Sequence, residues 1–276
     1  MTCRKINITK KILIQQMFEP NDKYTKVPYP KIRRATIGLL KAAKRKNMIH
    51  SIIEVDISNA RKNLRQIKKE TNNYISFTGY IIYCVSKAVD KNKIMHAYRN
   101  KKNQLILFND VDVSTTIERK VDNNSEVVAM ILRGANRKIV TEISEEIKNE
   151  KEKDVTKAEV FRSINLFLAI PSFIRQLVFR LLDKSPKLMK KRAGTIMVTS
   201  ANMIGSGAGW GIPIATHTIN VTIGGIVDRI VEQNNQFEKR QHLCLTFSFD
   251  HDIIDGAPAA RFIRNIKKII ESGEVI

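Results

Sequence analysis

Apolar and polar positions along the chain repeat with two periods, one typical of α-helices and the other of half-buried β-strands. Helical spacing predicts helices over ATIGLLKAAKR, NARKNLRQIKKE, FTGYIIYCVSKAVDK, TEISEEIKNEKEK and APAARFIRNIKKIIESG. Alternation predicts strands over SIIEVDIS, EVVAMILRGA, GTIMVTSA, HTINVTIGGIVD and HLCLTFSFD. The stretch QLILFNDVDVSTTIER is predicted to form two strands that are joined at Asn109 and Asp110. Gly273 is expected to end the last helix.

These elements mix without regular βαβ alternation, which indicates the fold class. We expect an α/β protein of the α+β two-layer type, with a mixed β-sheet covered by helices, rather than a Rossmann arrangement. The prolines of KVPYPK predict that residues 1–30 are an N-terminal arm, and 31–276 then form a single folded domain. Within it, 155–192 are expected to supply one or two helices, the second interrupted at KSP.

Composition is compatible with a large buried core and a strongly basic surface. The 276 residues are 43% hydrophobic, and the formal net charge is +21. Such a charge attracts phosphates, nucleic acid or anionic membranes. The lysines and arginines are scattered through KAAKRK, RKNLRQIKKE and KLMKKR, so a solvated basic surface and a specific anion site both remain open.

The cysteines and the hydropathy of the chain indicate in which cellular compartment the protein is expected. Cys3, Cys84 and Cys244 are odd in number and widely spaced, which argues against a disulfide framework and a structural zinc site. The basic N-terminus lacks a cleavage site of small residues, so a signal peptide is not expected. No uncharged run reaches the length of a transmembrane helix, since Arg175 and Arg180 interrupt the most apolar stretch. A reducing, cytoplasmic location fits best.

The segment FSFDHDIIDGAPAARF places a histidine at a strand-to-helix junction. A half-buried strand ends at Asp250, His251 follows, and a turn leads into an apolar-periodic helix. The acidic neighbours, which include Asp255, are equally compatible with ordinary turn and capping roles. The segment holds no second histidine, so no metal site is expected. Spacing alone leaves open whether His251 does chemistry.

Several motifs resemble those of a known enzyme family. SFDHDIIDGAPAARF resembles the His-x-x-x-Asp-Gly signature of the catalytic domains of dihydrolipoamide acyltransferases, which is shared with chloramphenicol acetyltransferase. RRATIGLL, SFTGYIIYCVSKAV, NDVDVSTTIERKVDNNSEVVAMILRGANRKIVTEISEEI and GTIMVTSANMIGSGAGWGIPI resemble successive family segments in the same order. The resemblance covers nearly everything from Arg33 onward, and it implies a chloramphenicol acetyltransferase-like fold.

The resemblance implies a coenzyme A-dependent acyltransferase in which His251 is the general base. A neutral histidine can take the proton of a thiol, hydroxyl or amine acceptor, which then attacks the thioester. The oxyanion formed needs a donor. Alignment on the acyltransferase pattern implies Thr199, whereas alignment on the SAN string of chloramphenicol acetyltransferase implies Ser200. The two side chains point to opposite faces of a regular strand, so only one can serve, and we favour Thr199.

Asp255 matches a family aspartate that supports the site by pairing with an arginine, for which Arg33 and Arg34 are the candidates. One position departs from the pattern: Asp252 stands where the family commonly has arginine, adding a negative charge beside His251. The stretch GSGAGWG lacks the ending of a phosphate-binding P-loop and is expected to be a flexible turn near the site. The cofactor-binding residues are not predicted.

The resemblance also bears on partners. It implies a homo-oligomer, at least a trimer, in which the histidine of one subunit faces the hydroxyl of its neighbour. The connection at 155–192 is longer than usual in the family and is interpreted as a helical insertion. No lipoyl domain or bound lipoyl group is expected on this chain, so the acceptor is either a separate lipoylated protein or a small molecule. The alternatives are a non-catalytic oligomeric scaffold or a basic protein that binds nucleic acid or anionic membranes; nucleic acid is the less expected partner.

Overall fold

The computed structural model describes residues 24–29, 31–71, 74–121, 124–153, 166, 169–200, 207–233 and 235–275. The helices are α1 (Lys31–Ala43), α2 (Ser58–Thr71), α3 (Phe77–Asp90), α4 (Val140–Glu152), α5 (Ser172–Asp183), α6 (Pro186–Ala193) and α7 (Gly256–Ser272). The strands are β1 (Met48–Asp56), β2 (Tyr98–Arg99), β3 (Leu105–Ile106), β4 (Val113–Val121), β5 (Asn124–Leu132), β6 (Ile196–Ser200), β7 (Ile219–Gln233) and β8 (Gln236–Asp250).

Six of these strands form one mixed sheet in the order β1-β8-β7-β6-β4-β5. The pairs β4/β6 and β6/β7 are parallel, and the other neighbours are antiparallel. Strands β2 and β3 form a separate antiparallel pair. The prediction of a mixed sheet covered by helices is therefore confirmed.

One face of the sheet carries the hydrophobic core. Alternate residues of the strands, such as Val198, Val221 and Phe247, pack against the apolar faces of α2, α3, α4 and α7. Helix α3 is buried over most of its length, because most of its residues are apolar. The opposite face is covered in part by α1, α5 and α6, so the helices are not confined to the single layer that the sequence suggests.

The β7–β8 hairpin extends beyond the strands that the alternation predicts. The two strands stay paired as far as Gln233 and Gln236, which are the last residue pair of the hairpin. The outer residues of this hairpin are mostly exposed on both faces. Polar side chains dominate there, so the alternation that marks a half-buried strand is absent and the sequence gives no signal for it.

Helix α7 returns to the start of α2, and a glycine allows the close approach. Gly273 has φ +68°, in the left-handed region that glycine adopts without strain. A Cβ at this position would lie 2.8 Å from the backbone nitrogen of Ala60. The predicted helix end is therefore confirmed.

Candidate active site

His251 lies in the turn that follows β8. Its backbone N–H donates to the carbonyl oxygen of Asn47 at 2.7 Å, which fixes the turn against the segment before β1. The imidazole is 46% exposed, and its Nδ1 lies 3.8 Å from Oδ1 of Asp255. Asp255 is the N-cap residue of α7, and its side chain is 81% exposed. A rigid strand end and a helix start thus hold the histidine, whose ring remains open to a ligand or a second protein surface.

The acidic residues on either side of His251 are bound by other groups. Asp250 is nearly buried and accepts a 2.6 Å hydrogen bond from Nζ of Lys46. Oδ1 of Asp252 accepts from the side-chain amide of Asn47 at 2.9 Å, and Oδ2 lies 3.6 Å from Nη2 of Arg99. The negative charge that departs from the family pattern is thereby offset by a neighbouring arginine.

Thr199 and Ser200 project from opposite faces of β6, as the strand period requires. Thr199 is in register with Thr222 of β7, which is in register with Thr246 of β8, so three threonines form a row across the face away from the core. Oγ1 of Thr199 lies 3.4 Å from Oγ1 of Thr222. Ser200 is in register with Ile223 on the core face, and its buried Oγ has no hydrogen-bond partner among the described residues.

Within one chain, His251 and Thr199 are far apart. Thr199 lies two strands away from Thr246, and His251 follows Thr246 by five residues. Two strand spacings of about 4.8 Å lie across the sheet, and five residues with a rise of about 3.3 Å each lie along it. Together they separate the Cα atoms of Thr199 and His251 by roughly 19 Å. A single subunit therefore does not bring these two predicted site residues together.

Among the described side chains, the structure records no contact between Asp255 and an arginine. Arg33 lies exposed on α1, and the ion-pair contact that the structure gives Asp255 is with His251. The side chain of Arg34 lies outside the described residues. The pairing of Asp255 with an arginine stays a prediction.

A cavity of about 660 Å³ opens beside the His251 turn. Its walls include Asp250, Asp252 and five basic side chains: Arg45, Lys46, Arg99, Lys101 and Lys184. Two of these cations face the acidic pair described above, which leaves the cavity with a net positive charge. The sequence did not indicate this cluster because its members come from three separate segments that are scattered among other basic residues.

Two other histidines are poor candidates for proton transfer. His96 and His217 are buried, and burial lowers the pKa of each to about 4. His96 bonds Phe108 and Thr195, whereas His217 bonds the carbonyl of Ala193, so both are held inside the fold.

The part of the GSGAGWG stretch that the structure describes, residues 207–211, packs against the sheet. The carbonyl of Gly209 accepts from the N–H of Gly225 at 2.9 Å, next to an irregularity in β7. The indole of Trp210 donates to the carbonyl of Ile53 at 3.0 Å. The remaining residues of the predicted turn, 205 and 206, lie outside the described residues.

Neither a metal centre nor a membrane span is found in the described ranges. No group of three or more His, Cys, Asp or Glu side chains there could hold a metal ion. No helix of that part of the chain is long and apolar enough to cross a membrane.

The mixed sheet thus carries an exposed histidine at the end of β8 and a row of three threonines across β6, β7 and β8. The family model described as "2-oxoacid dehydrogenases acyltransferase (catalytic domain)" matches residues 21–158 and 165–276. The chain belongs to this family. The match omits only 159–164 between its two parts, a stretch inside the predicted insertion.

Curated relatives carry related names. The chain is 23% identical over 263 residues to the dihydrolipoyllysine-residue acetyltransferase component of the pyruvate dehydrogenase complex of Bacillus subtilis, covering 90% of this chain and 52% of that protein. The corresponding protein of Mycoplasma genitalium is 26% identical, with coverage of 80% and 53%. The chain thus spans about half the length of the curated relatives it matches.

Solved structures share the fold. A probable dihydrolipoamide acetyltransferase from Listeria monocytogenes has a TM-score of 0.66 and 19% identity, with 92% of this chain and 96% of that chain covered. The cubic core of a pyruvate dehydrogenase multienzyme complex has a TM-score of 0.67 and 15% identity, with coverage of 91% and 93%.

Proposed function

We propose that this chain transfers an acyl group between coenzyme A and a thiol acceptor, with His251 as the general base. The observation that carries the proposal is the half-exposed imidazole at the end of β8, whose turn is fixed by a backbone hydrogen bond, in a chain of an acyltransferase family. A neutral imidazole in this position can accept the proton of a thiol acceptor.

The reaction conserves atoms and charge. His251 takes the proton as the acceptor sulfur attacks the thioester carbonyl, and a new C–S bond forms. The carbonyl oxygen becomes an oxyanion, to which the hydroxyl of Thr199 donates. Collapse of this intermediate breaks the C–S bond to coenzyme A, whose sulfur receives the proton from the imidazolium.

Thr199 is favoured over Ser200 as the donor because it lies on the sheet face away from the core. A second argument is the spacing in a related Azotobacter vinelandii enzyme, 15% identical with a TM-score of 0.66, for which a serine, a histidine and an asparagine were investigated in the catalytic mechanism. That serine precedes the histidine by 52 positions, and the asparagine follows it by four. Thr199 likewise precedes His251 by 52 positions, and Asp255 follows by four.

The complete site is proposed to form between two copies of the chain. The separation of roughly 19 Å excludes direct cooperation of His251 and Thr199 in one subunit. An exposed histidine on one copy and a threonine on its neighbour resolve this, and a closed ring such as a homotrimer repeats the contact three times.

The cavity beside the His251 turn suits the phosphates of coenzyme A. Arg45, Lys101 and Lys184 line it, and the structure records no acidic partner for them among the described residues. Clustered cations of this kind hold phosphate groups through charge-assisted hydrogen bonds. The names of the relatives favour a lipoylated protein as the acceptor, and dihydrolipoamide is the simplest probe of that chemistry.

The test is release of free coenzyme A from acetyl-CoA in the presence of dihydrolipoamide. We expect His251→Ala to lower kcat by about 10²- to 10⁴-fold. His242→Ala is the matched control, since His242 lies at the other end of the core part of β8 beside Glu54. Equal rates for wild type and His251→Ala, or no turnover by the wild type, would contradict the proposal.

A further inference from the structure

A second cavity, of about 460 Å³, lies on the face of the sheet that carries Thr199. Helices α1, α5 and α6 form one side of it, and strands β4, β5 and β6 form the other. Thr199 is part of its wall, together with apolar side chains that include Ala43, Phe179, Ile131 and Met197. The space beside the proposed oxyanion donor therefore far exceeds that of a two-carbon acetyl group, because pockets of about 300–1,000 Å³ hold whole drug-sized ligands.

The polar side chains of the wall are mostly engaged with each other. The amide of Asn220 accepts from the backbone N–H of Thr216 and donates to the carbonyl of His217. The imidazole of His217 contacts Oγ1 of Thr216 and the carbonyl oxygen of Ala193, each at 2.7 Å. These polar groups are therefore not available to a ligand. Most of the remaining wall of the cavity is hydrocarbon surface.

Two charged residues, Lys46 and Arg192, also line the cavity. Lys46 is already paired with Asp250, and Arg192 is exposed. The hydroxyl of Thr199 makes a long, 3.4 Å contact with Thr222, so it can turn toward a ligand at little cost. The hydroxyls of Thr199 and Ser114 face an otherwise mainly apolar wall, which matches a molecule with a carbonyl at one end and an alkyl chain behind it.

The strand register defines the line along which the cavity runs, from Thr199 of β6 to Ala129 of β5. Ser114 of β4 is in register with Met197 of β6 and with Ile131 of β5, and Ala129 lies one pleat further along β5, on the same face. From Thr199 to Ala129 the distance is two strand spacings, or about 10 Å. An extended chain advances about 1.2 Å per bond, so about eight bonds span it.

We infer that the cavity is the acyl site and that it takes saturated, unbranched acyl groups of six to eight carbons, with the carbonyl at Thr199 and the chain end near Ala129. The inference rests on the proposed function and names its substrate class. The reaction is the same exchange of C–S bonds described above. Each methylene buried in the cavity is expected to raise kcat/KM about fourfold, until the chain reaches the far wall.

The experiment compares kcat/KM for acetyl-, butyryl-, hexanoyl-, octanoyl- and dodecanoyl-CoA, with dihydrolipoamide as the acceptor. We expect a rise on the order of a hundredfold from acetyl to hexanoyl, a maximum at hexanoyl or octanoyl, and a fall for dodecanoyl. A profile that is flat, or that declines from acetyl onward while His251 remains essential, overturns the acyl-chain assignment and leaves the acyltransferase proposal standing.

A pair of matched variants tests the location. Ala129→Phe fills the far end of the cavity and is expected to lower the ratio of octanoyl to acetyl kcat/KM by at least tenfold. Val127→Phe adds the same side chain to the same face of β5, two residues away and outside the cavity wall, and is expected to leave that ratio unchanged. Equal ratios in the two variants would place the chain elsewhere.

Calorimetric titration of wild type with octanoyl-CoA and acetyl-CoA gives a readout that does not depend on turnover. Tighter binding of octanoyl-CoA, reduced by Ala129→Phe, supports the assignment. If no acyl-CoA is turned over, the proposed function fails, and equal affinity for the two thioesters then removes the acyl site as well.

Discussion

The proposal that His251 and Thr199 act across two copies of the chain predicts complementation between two inactive variants. His251→Ala keeps the threonine, and Thr199→Ala keeps the histidine. Each variant alone is expected to lose about 10²-fold or more in kcat, because a general base and an oxyanion donor each contribute at least that much. A mixed oligomer, however, contains interfaces in which both intact residues meet.

The expected recovery follows from the geometry. In a ring, each site takes its histidine from one copy and its threonine from the next. In a random equal mixture of the two variants, the histidine of a given site is intact with a probability of one half, and so is the threonine. About a quarter of the sites are then complete, so activity returns from about 1% or less to roughly 25% of the wild-type value. A site formed within one chain would show no such recovery, because neither variant chain carries both intact residues.

The assay is coenzyme A release after the two variants are unfolded together and refolded as one sample, with each variant refolded alone as the reference. The double variant refolded with His251→Ala is the control, since it supplies no histidine and should stay inactive. Mixed activity equal to the mean of the two single variants would refute the shared site. Light-scattering mass measurement checks that both samples are oligomers of the same size.

Three further predictions concern stability. Lys46→Ala leaves the nearly buried carboxylate of Asp250 unpaired and is expected to lower the free energy of unfolding by about 3–5 kcal/mol in urea titrations; a loss below about 1 kcal/mol would contradict the pair. Gly273→Ala should cost about 1–3 kcal/mol, since its φ is +68° and its Cβ would meet the backbone of α2, whereas Gly256→Ala, with open space around it, should be neutral in the same thermal melts. Burial lowers the pKa of His217 to about 4, below its unfolded value of about 6.5, so its contribution to stability is present above pH 6.5 and is lost as pH falls toward 4. His217→Asn should reduce this pH dependence, and an unchanged slope would argue against a buried neutral imidazole.

Much of the secondary structure could be predicted because its signals are local. Helix α3 is a nearly uninterrupted apolar run, and the core part of β8 alternates strictly, so both were predicted close to their observed bounds. The predicted interruption at KSP coincides with the boundary between α5 and α6. Both predicted strands of QLILFNDVDVSTTIER form, but the first is only Leu105–Ile106, and it pairs with β2 outside the main sheet.

The candidate site was predictable only in its parts. The strand, turn and helix around His251 follow from the periodicity, and the resemblance supplied the role. Opposite faces for Thr199 and Ser200 follow from strand geometry, but which face is the core depends on the neighbours of β6 in the sheet. The sequence also indicated Asp252 as an extra negative charge beside His251, and the structure places Arg99 and Asn47 against it.

Local sequence patterns were enough to predict most of the helices and strands, the end of α7 at Gly273, and a histidine at a strand end with an acidic residue four positions later. These follow from periodicity and backbone preference, which act over a few residues. The three-dimensional packing was needed to establish the strand order, the basic cavity beside His251, the apolar cavity beside Thr199 and the distance between those two residues. Each depends on which distant segments pack together, and packing of that kind is a property of the whole core rather than of any local pattern.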